Sequence, residues 1–378
     1  MHPLKIRLLP SGNGDCILIS SETSFFLFDG GTASSYKEWK NEILTLPKID
    51  GLFITHIDND HISGIIKLIQ ENENHAAPNL IEIGDVFYNG VEQILKDKII
   101  NDVSNQNEFL RLNAYFDTSV QGKNIGYSEG TGLSYLLKEF GYPLNRGCTN
   151  GKFCRETTPG LSLSGMEIDV IGPSISVLDK MKNDWDNELQ RQRISNRILN
   201  KIHAHSFEKY VSNIYSDEDF AGDISYSVRK NLDALANSPY HTDDSLANRS
   251  SICLLADFSG KKIMMLGDTN CETVIDWLNN KAISCLSVDA IKISHHGSKK
   301  NINKELIKRV KTKNYIICTD GKLHKHPDME ALARIVYYST EQEVFFHFNH
   351  RHDYLDYDLL CSMPGKTVSF NFSGVIQI

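Results

Sequence analysis

The stretch FITHIDNDHISGI, residues 53–65, places His56, Asp58, Asp60 and His61 within six positions at the end of an apolar run. GLFIT (51–55) reads as the end of a strand, and a loop leaving a buried strand can turn several side chains toward one point, free of sheet or helix periodicity. Imidazole nitrogens and carboxylate oxygens are ligands that first-row metals take. One such residue is ordinarily a turn former or a satisfied polar group. Four together, just ahead of the helix start ISGIIKLI (62–69), point to metal ligation. Asp60 and His61 are neighbours in this loop, so they can face different sides and serve two ions held close together.

Two ions need more ligands than one loop supplies. MMLGDTN (264–270) puts Asp268 after a strand and a glycine, and IKISHHGSKKN (291–301) puts His295 and His296 after another strand. Each segment repeats the order of strand first, ligand after. A Gly-Asp alone is also an ordinary turn, and the weight lies in the combination.

The rest of the chain sets limits. Its 378 residues suffice for one large domain or two moderate ones. No apolar run approaches the roughly 18 residues of a membrane span, and the start MHPLKIRLLPSG lacks the apolar centre of a signal peptide, so a cytoplasmic protein with no membrane partner is expected. The eight cysteines form no CxxC pair and read as reduced, mostly buried thiols. A formal charge of -8 excludes a surface that is basic all over, so any nucleic-acid contact needs a local patch.

Strand-like runs at 4–9, 16–20, 24–28 and 50–55 and helical runs at 36–46 and 62–71 form a first block. The second has a hairpin with a Ser-Gly turn (250–268), helices at 271–280, 303–311 and 328–338, strands at 288–293 and NYIICT, and a final strand EVFFHF. Between them, Leu178, Met181, Trp185, Leu189, Ile194, Ile198, Ile202, Phe207, Tyr210 and Ile214 recur at steps of three to five, as one long amphipathic helix or two shorter ones. The layout predicts a layered α/β protein: 1–90 as the first half of the fold, 91–240 as a partly helical insertion serving as a lid or a partner-binding region, and 241–378 as the second half.

GNGDCILI (12–19), FDGG (28–31), THIDNDHISG (55–64), LGDT (266–269), SHHGS (294–298) and the His326-Pro327 pair occur in an order that resembles the metallo-β-lactamase fold. Within that superfamily they resemble most the metallo-hydrolase domain of the competence protein ComEC and its standalone relatives. The resemblance implies an αββα sandwich with a dinuclear metal site at one edge. Carried over residue by residue, it makes His56 and Asp58 ligands of one metal, Asp60 and His61 ligands of the other, Asp268 the bridge and His296 the completing ligand. His295 becomes a shell or substrate contact, and Asp29 a support of the metal loop where a plain turn aspartate is the other reading. His326 would donate a hydrogen bond to a phosphate or a proton to the leaving oxygen, or else be a capping or core histidine.

Two departures from the superfamily pattern matter. Most members have a His where this chain has Asp58, and the added carboxylate favours manganese or magnesium over zinc. Most also supply a His from the loop that here reads DDSLANRSSI (243–252), so Asn248 or Asp244 takes the place or the position stays open. His203, His205 and His241 read as surface histidines. Two divalent ions would acidify a bridging water and stabilise charge on a phosphoryl centre, with Asp60 orienting the resulting hydroxide. Lys299, Lys300, Lys304, Lys308, Arg309, Lys311 and Lys313 gather against the single acid Glu305, as a solvated helix face or as a patch for a phosphate backbone. With Ser298, Lys299 and Lys300 as substrate contacts, the first reading is a phosphodiesterase cutting DNA or RNA. It would act alone or as an effector subunit whose partner, or second copy, docks on 91–240. The others are a hydrolase of a small phosphoester, cyclic nucleotide, ester or lactone, and a non-catalytic binding module.

Overall fold

Alternation of apolar residues along short strands builds the molecule, because successive side chains of a strand face opposite sides. The computed structural model of the chain describes residues 4–95, 106–119, 132–158, 160–194, 201–214 and 231–378. Strands β1 (Lys5–Leu8), β2 (Ile17–Ser20), β3 (Phe25–Phe28), β4 (Ile49–Phe53) and β5 (Ile83–Phe87) come first, with helices α1 (Tyr36–Ile43) and α2 (Asn59–Asn72) between them. Next come α3 (Val91–Leu95), α4 (Gln106–Ser119), α5 (Leu133–Glu139), β6 (Leu161–Leu163), β7 (Met166–Gly172), α6 (Ile175–Arg191), α7 (Lys201–Ile214), α8 (Leu232–Ala236) and α9 (Leu246–Arg249). The closing part holds β8 (Cys253–Phe258), β9 (Lys261–Met265), α10 (Cys271–Asn280), β10 (Leu286–Ser287), β11 (Ala290–Lys292), α11 (Lys304–Arg309), β12 (Val310–Lys311), β13 (Asn314–Ile317), α12 (Met329–Tyr338), β14 (Glu343–Phe348), α13 (Tyr357–Cys361), β15 (Thr367–Asn371) and β16 (Val375–Gln377).

Two sheets face each other. One has the order β16-β1-β2-β3-β4-β5, the other β15-β14-β13-β11-β9-β8-β7-β6, and β10 pairs with β12 in a short ribbon. Ile17, Ile19, Phe26 and Phe28 of the first sheet meet Leu254, Ala256, Ile263 and Met265 of the second in an inner apolar layer. The opposite faces of the same strands, Leu18 and Leu27 on one side and Leu255 and Met264 on the other, are covered by helices. Trp39, Ile65 and Ile69 of α1 and α2 lie over the first sheet, and Trp277, Leu332 and Val336 of α10 and α12 over the second. This is the αββα sandwich that the resemblance implies, carrying helices from the middle of the chain on its first face.

Several expectations change. EVFFHF is not the final strand: β15 adds to the second sheet and β16 pairs antiparallel with β1, closing the first. The stretch 91–240 is not wholly inserted, because β6 and β7 within it pair onto β8 at the end of the second sheet. Residues 96–105, 120–131, 159, 195–200 and 215–230 of that stretch, Ile198 among them, lie outside the described residues. The amphipathic run beyond Leu178 forms two helices, α6 and α7, with Trp185 of one packed on Phe207 and Tyr210 of the other. His203 and His205 of α7 are buried rather than on the surface, whereas His241 is exposed. The 250–268 hairpin turns at Ser259 and Gly260, both at positive φ. All eight cysteines are free, with Cys285 and Cys361 exposed. No helix among the described residues is long and apolar enough to cross a membrane.

Where β3 pairs with β4, and β11 with β9 and β13, the strands run parallel, so their carboxyl ends lie together at one edge. Loops leaving such ends are where open α/β sheets gather functional groups.

Candidate metal centre

Every strand end named above delivers a side chain to one place. Asp29 follows β3, His56 to His61 follow β4, Asp268 follows β9, and His295 and His296 follow β11. Contrary to expectation, Asp60 and His61 are not in the loop: α2 begins at Asn59, so both stand on its first turn. Adjacent residues of a helix point about 100° apart, which separates the two side chains. Asp58 holds the N-cap position, yet its side chain makes no capping bond and turns to His56 instead, Oδ2 to Nε2 at 3.4 Å. Close approach of two loops completes the layout. A Cβ on Gly14 would lie 1.6 Å from the Asp60 carbonyl oxygen, so only glycine brings the 11–15 loop, and Asp15 with it, against the start of α2.

The centre of the site is Asp268 Oδ2. His61 Nε2 lies 3.2 Å from it, His296 Nε2 3.4 Å and His56 Nε2 3.9 Å. Asp60 reaches both His296 Nε2, at 3.4 Å, and His61 Nε2, at 3.9 Å, through its two oxygens. Asp268 thus lies between a pair, His56 with Asp58, and a second set, Asp60, His61 and His296. The three Nε2 atoms are buried and make no hydrogen bond to any described residue, as do Asp58 Oδ1 and Asp268 Oδ1. Buried polar groups without partners are rare in folded proteins. Two ligand atoms about 2.1 Å from a tetrahedral ion lie about 3.4 Å apart, the spacing found here. The residues present therefore fit divalent metal ions. Asp15, His61, Asp268 and His296 in addition offer one ligand atom each within 4.8 Å of one another.

Each histidine is held from behind, as metal-binding imidazoles usually are. Asp29 accepts from the Thr55 N–H (2.7 Å) and hydroxyl (2.8 Å) and sits 2.9 Å from His61 Nδ1. Thr55 Oγ1 is 3.0 Å from His56 Nδ1. His296 Nδ1 lies 2.9 Å from the Cys318 carbonyl oxygen and 3.3 Å from Asp15 Oδ1. Burial works against a charged His296, but Asp268 and Asp15 outweigh it and raise its pKa to about 9. His61 is likewise lifted against burial by Asp268, Asp29 and Asp60. Burial would raise the Asp60 and Asp268 carboxyls, yet the facing imidazoles, with Lys292 beside Asp268, hold both below the ordinary range.

His296, not His295, faces this cluster. His295 Nδ1 is 3.3 Å from Asp243 Oδ2 and 3.2 Å from Asn301 Oδ1. Asp243 also accepts from Asn248 (2.7 Å) and Asn301 (3.0 Å), and against burial His295 first, then these amides, lower its carboxyl pKa to about 2. Asn248 thus supports this group, and Asp244 is exposed. The His326 ring stands 5.4 Å from that of His295, its Nδ1 3.6 Å from Asp328 Oδ2. Ser298 is buried and its hydroxyl oxygen accepts the Lys300 N–H, so it shapes the turn rather than lining a surface. Lys299 is exposed and Lys300 half-buried beside the centre.

The remaining cations of the expected patch lie elsewhere. Lys304 and Lys308 sit over the Tyr338 ring, Arg309 pairs with Glu305, and Lys313 pairs with Glu343. In their place the 319–328 loop, tied to the site by bonds from Asp320 N–H to Gly12 and from Asp328 N–H to Gly297, adds exposed Lys325 and exposed Lys322, the latter 3.1 Å from Asp320 Oδ2.

Residues 9–116 match the family model of the metallo-beta-lactamase superfamily. The fold is that of the metallo-β-lactamase superfamily. The matched segment takes in the His56–His61 stretch, while Asp268 and His296 lie beyond it. As a structure the chain is similar to YhfI from Bacillus subtilis, a metallo-beta-lactamase fold protein, with 10% identity over 100% of both chains and a TM-score of 0.40. It is also similar to a diphosphatase of the PhnP family, with 8% identity over 100% of this chain and 97% of that one and a TM-score of 0.39. With CmlA, a diiron β-hydroxylase from Streptomyces venezuelae, it shares 11% identity over 100% of this chain and 54% of that one, at a TM-score of 0.39. Likenesses this distant carry no argument about substrate. No curated protein matches the chain in sequence.

Three residues of the site escape the sequence reading. Asp15 lies in the quoted GNGD segment, Asp243 directly precedes the candidate Asp244, and Lys292 ends a strand. A lysine at an inward-facing position of the apolar run AIKI (290–293) was the available signal for the last.

Proposed function

We propose that this chain is a metal-dependent hydrolase of phosphodiester bonds and that its substrate is nucleic acid, DNA before RNA, in keeping with the ComEC-type resemblance of its motifs. The observation that carries this reading is the convergence of three unpartnered imidazole nitrogens on one oxygen of Asp268, with Asp58 and Asp60 flanking it. His56, Asp58 and Asp268 would hold one ion and Asp60, His61, His296 and Asp268 the other. Three carboxylates among six ligands favour manganese or magnesium over zinc. Bound there, two divalent ions supply an acidified water and charge stabilisation at a phosphoryl centre. Asp60, about a fifth exposed, receives a hydrogen bond from Asn13 (3.0 Å) and presents its carboxylate at the open side, where it orients the attacking water. His295 and His326, their rings 5.4 Å apart, would donate to phosphate oxygens, and Lys299, Lys300, Lys322 and Lys325 would give a phosphate backbone its contacts.

The test uses chelator-stripped protein given manganese, magnesium or zinc with labelled single-stranded DNA, double-stranded DNA and RNA. Metal-dependent cutting is expected, and Asp60→Ala should lose it while keeping the parent's melting temperature. A protein that binds two ions and cuts none of these substrates would shift the assignment to small phosphoesters or to activity that needs a partner on 91–240. For the rim, Lys299→Glu with Lys300→Glu is expected to weaken DNA binding and to flatten the slope of log affinity against log salt by about two. Cleavage of a small chromogenic diester should fall far less. Equal losses on both substrates would remove the backbone-binding role.

A further inference from the structure

Lys292 is a buried cation that the proposed chemistry does not use. It lies on the inner face of β11, the face of Ala290, in the apolar layer between the sheets, and its side chain is 1% exposed. Its ammonium pairs with Asp15, donates to the Gly267 carbonyl oxygen at 3.1 Å, and stands 3.6 Å from Asp268 Oδ1. An ammonium has three donors, and three acceptors surround this one. Asp15 in turn reaches His296 on its Nδ1 side, away from the nitrogen that faces Asp268 Oδ2.

The two oxygens of Asp268 therefore see different surroundings. All three imidazole Nε2 atoms crowd Oδ2, while Oδ1 makes no hydrogen bond and looks toward Lys292. Asp15 belongs, with His61, Asp268 and His296, to a set of four residues whose ligand atoms lie close enough to hold an ion themselves. A buried ion pair is seldom kept for stability, since apolar residues of similar volume serve as well or better. What this pair supplies is a positive charge at a fixed point. Resting on the dinuclear reading above, we propose that Lys292, held by Asp15, is a positioning residue for the bridging carboxylate. It holds the Oδ1 side of Asp268, leaving Oδ2 as the oxygen that would face the ions, and it keeps Asp15 from taking up an ion.

The experiment compares the parent, Lys292→Met, and the double variant Asp15→Asn/Lys292→Met, which leaves no unpaired buried charge. Each is stripped, reloaded with manganese, and followed by metal content, by titration and by electron paramagnetic resonance. The parent should bind two ions with an exchange-coupled spectrum. Both variants should melt cooperatively, bind the second ion about 10- to 100-fold more weakly, and lose or alter the coupling, because Asp268 is no longer held on its Oδ1 side, and Lys292→Met alone, with Asp15 released, should take up more manganese than the double variant. A folded variant with the parent's affinity and spectrum would overturn the proposal, as would failure of both variants to fold, which would make the pair a folding element. A parent that binds no manganese pair would instead remove the dinuclear reading, a separate result seen before any variant is made.

Discussion

Asp268→Ala is expected to abolish metal loading and to lower phosphodiester cleavage by more than about 1000-fold, roughly 4 kcal/mol of transition-state stabilisation. The size follows from position. Asp268 Oδ2 lies within 3.9 Å of the Nε2 atoms of His56, His61 and His296 together, so on the proposed dinuclear reading its loss would take a ligand from both ions at once. Asp58→Ala is the control: Asp58 reaches His56 alone, so one ion should remain where Asp268→Ala leaves none. The backbone should hold in both, because the Asp268 N–H keeps its bond to Ser251 Oγ and the loop keeps the bond from His295 N–H to Gly267. Metal content by atomic absorption and unfolding curves check this. Equal metal content in the two variants would mean that Asp268 does not bridge.

The sequence made the candidate ligands legible because they stand in short runs straight after apolar strands, a pattern independent of the details of packing. His56, Asp58, Asp60 and His61 are adjacent in the chain, and the Gly-Asp and His-His-Gly segments show the same order. What sustains those ligands was harder to see. Asp15 acts only because glycine at position 14 lets two loops touch, and nothing local marks which of Asp243 and Asp244 turns inward. Lys292 looks like an ordinary lysine until the inner face of β11 is known. The lysine run after His296 misled for the opposite reason. Charge along a chain says nothing of direction, and α11 carries Lys304 and Lys308 onto Tyr338, away from the centre. In the fold, β16 is too short to read as a strand alone and is held by its pairing with β1, whereas β15 alternates Val368 and Phe370 with polar residues, a strand signal present in the sequence.

Glu208 gives the chain a pH dependence unrelated to the metal centre. It is fully buried in α7, and its carboxylate accepts from Leu133 N–H at 3.2 Å and from Ser134 N–H and hydroxyl at 3.3 and 3.1 Å, at the start of α5. Burial outweighs those donors and raises its pKa to about 7. An unfolded chain would release the same proton near about pH 4.3. Between those values the folded protein holds a proton that the unfolded one has lost, so this contribution to stability is whole below about pH 4 and fades as pH rises through 7. Its full size is about 4 kcal/mol. Glu208→Gln cannot ionise, and its amide nitrogen adds a constant cost by facing the Leu133 N–H. The difference in unfolding free energy between the two proteins should therefore shift by about 3 kcal/mol in favour of the variant between pH 5 and pH 8. Denaturant unfolding at several pH values measures it, and contributions from the metal centre cancel in the difference. Parallel curves would mean that the carboxyl ionises at its ordinary pH, so that the three donors from α5 outweigh burial and the α5–α7 contact is held by charge.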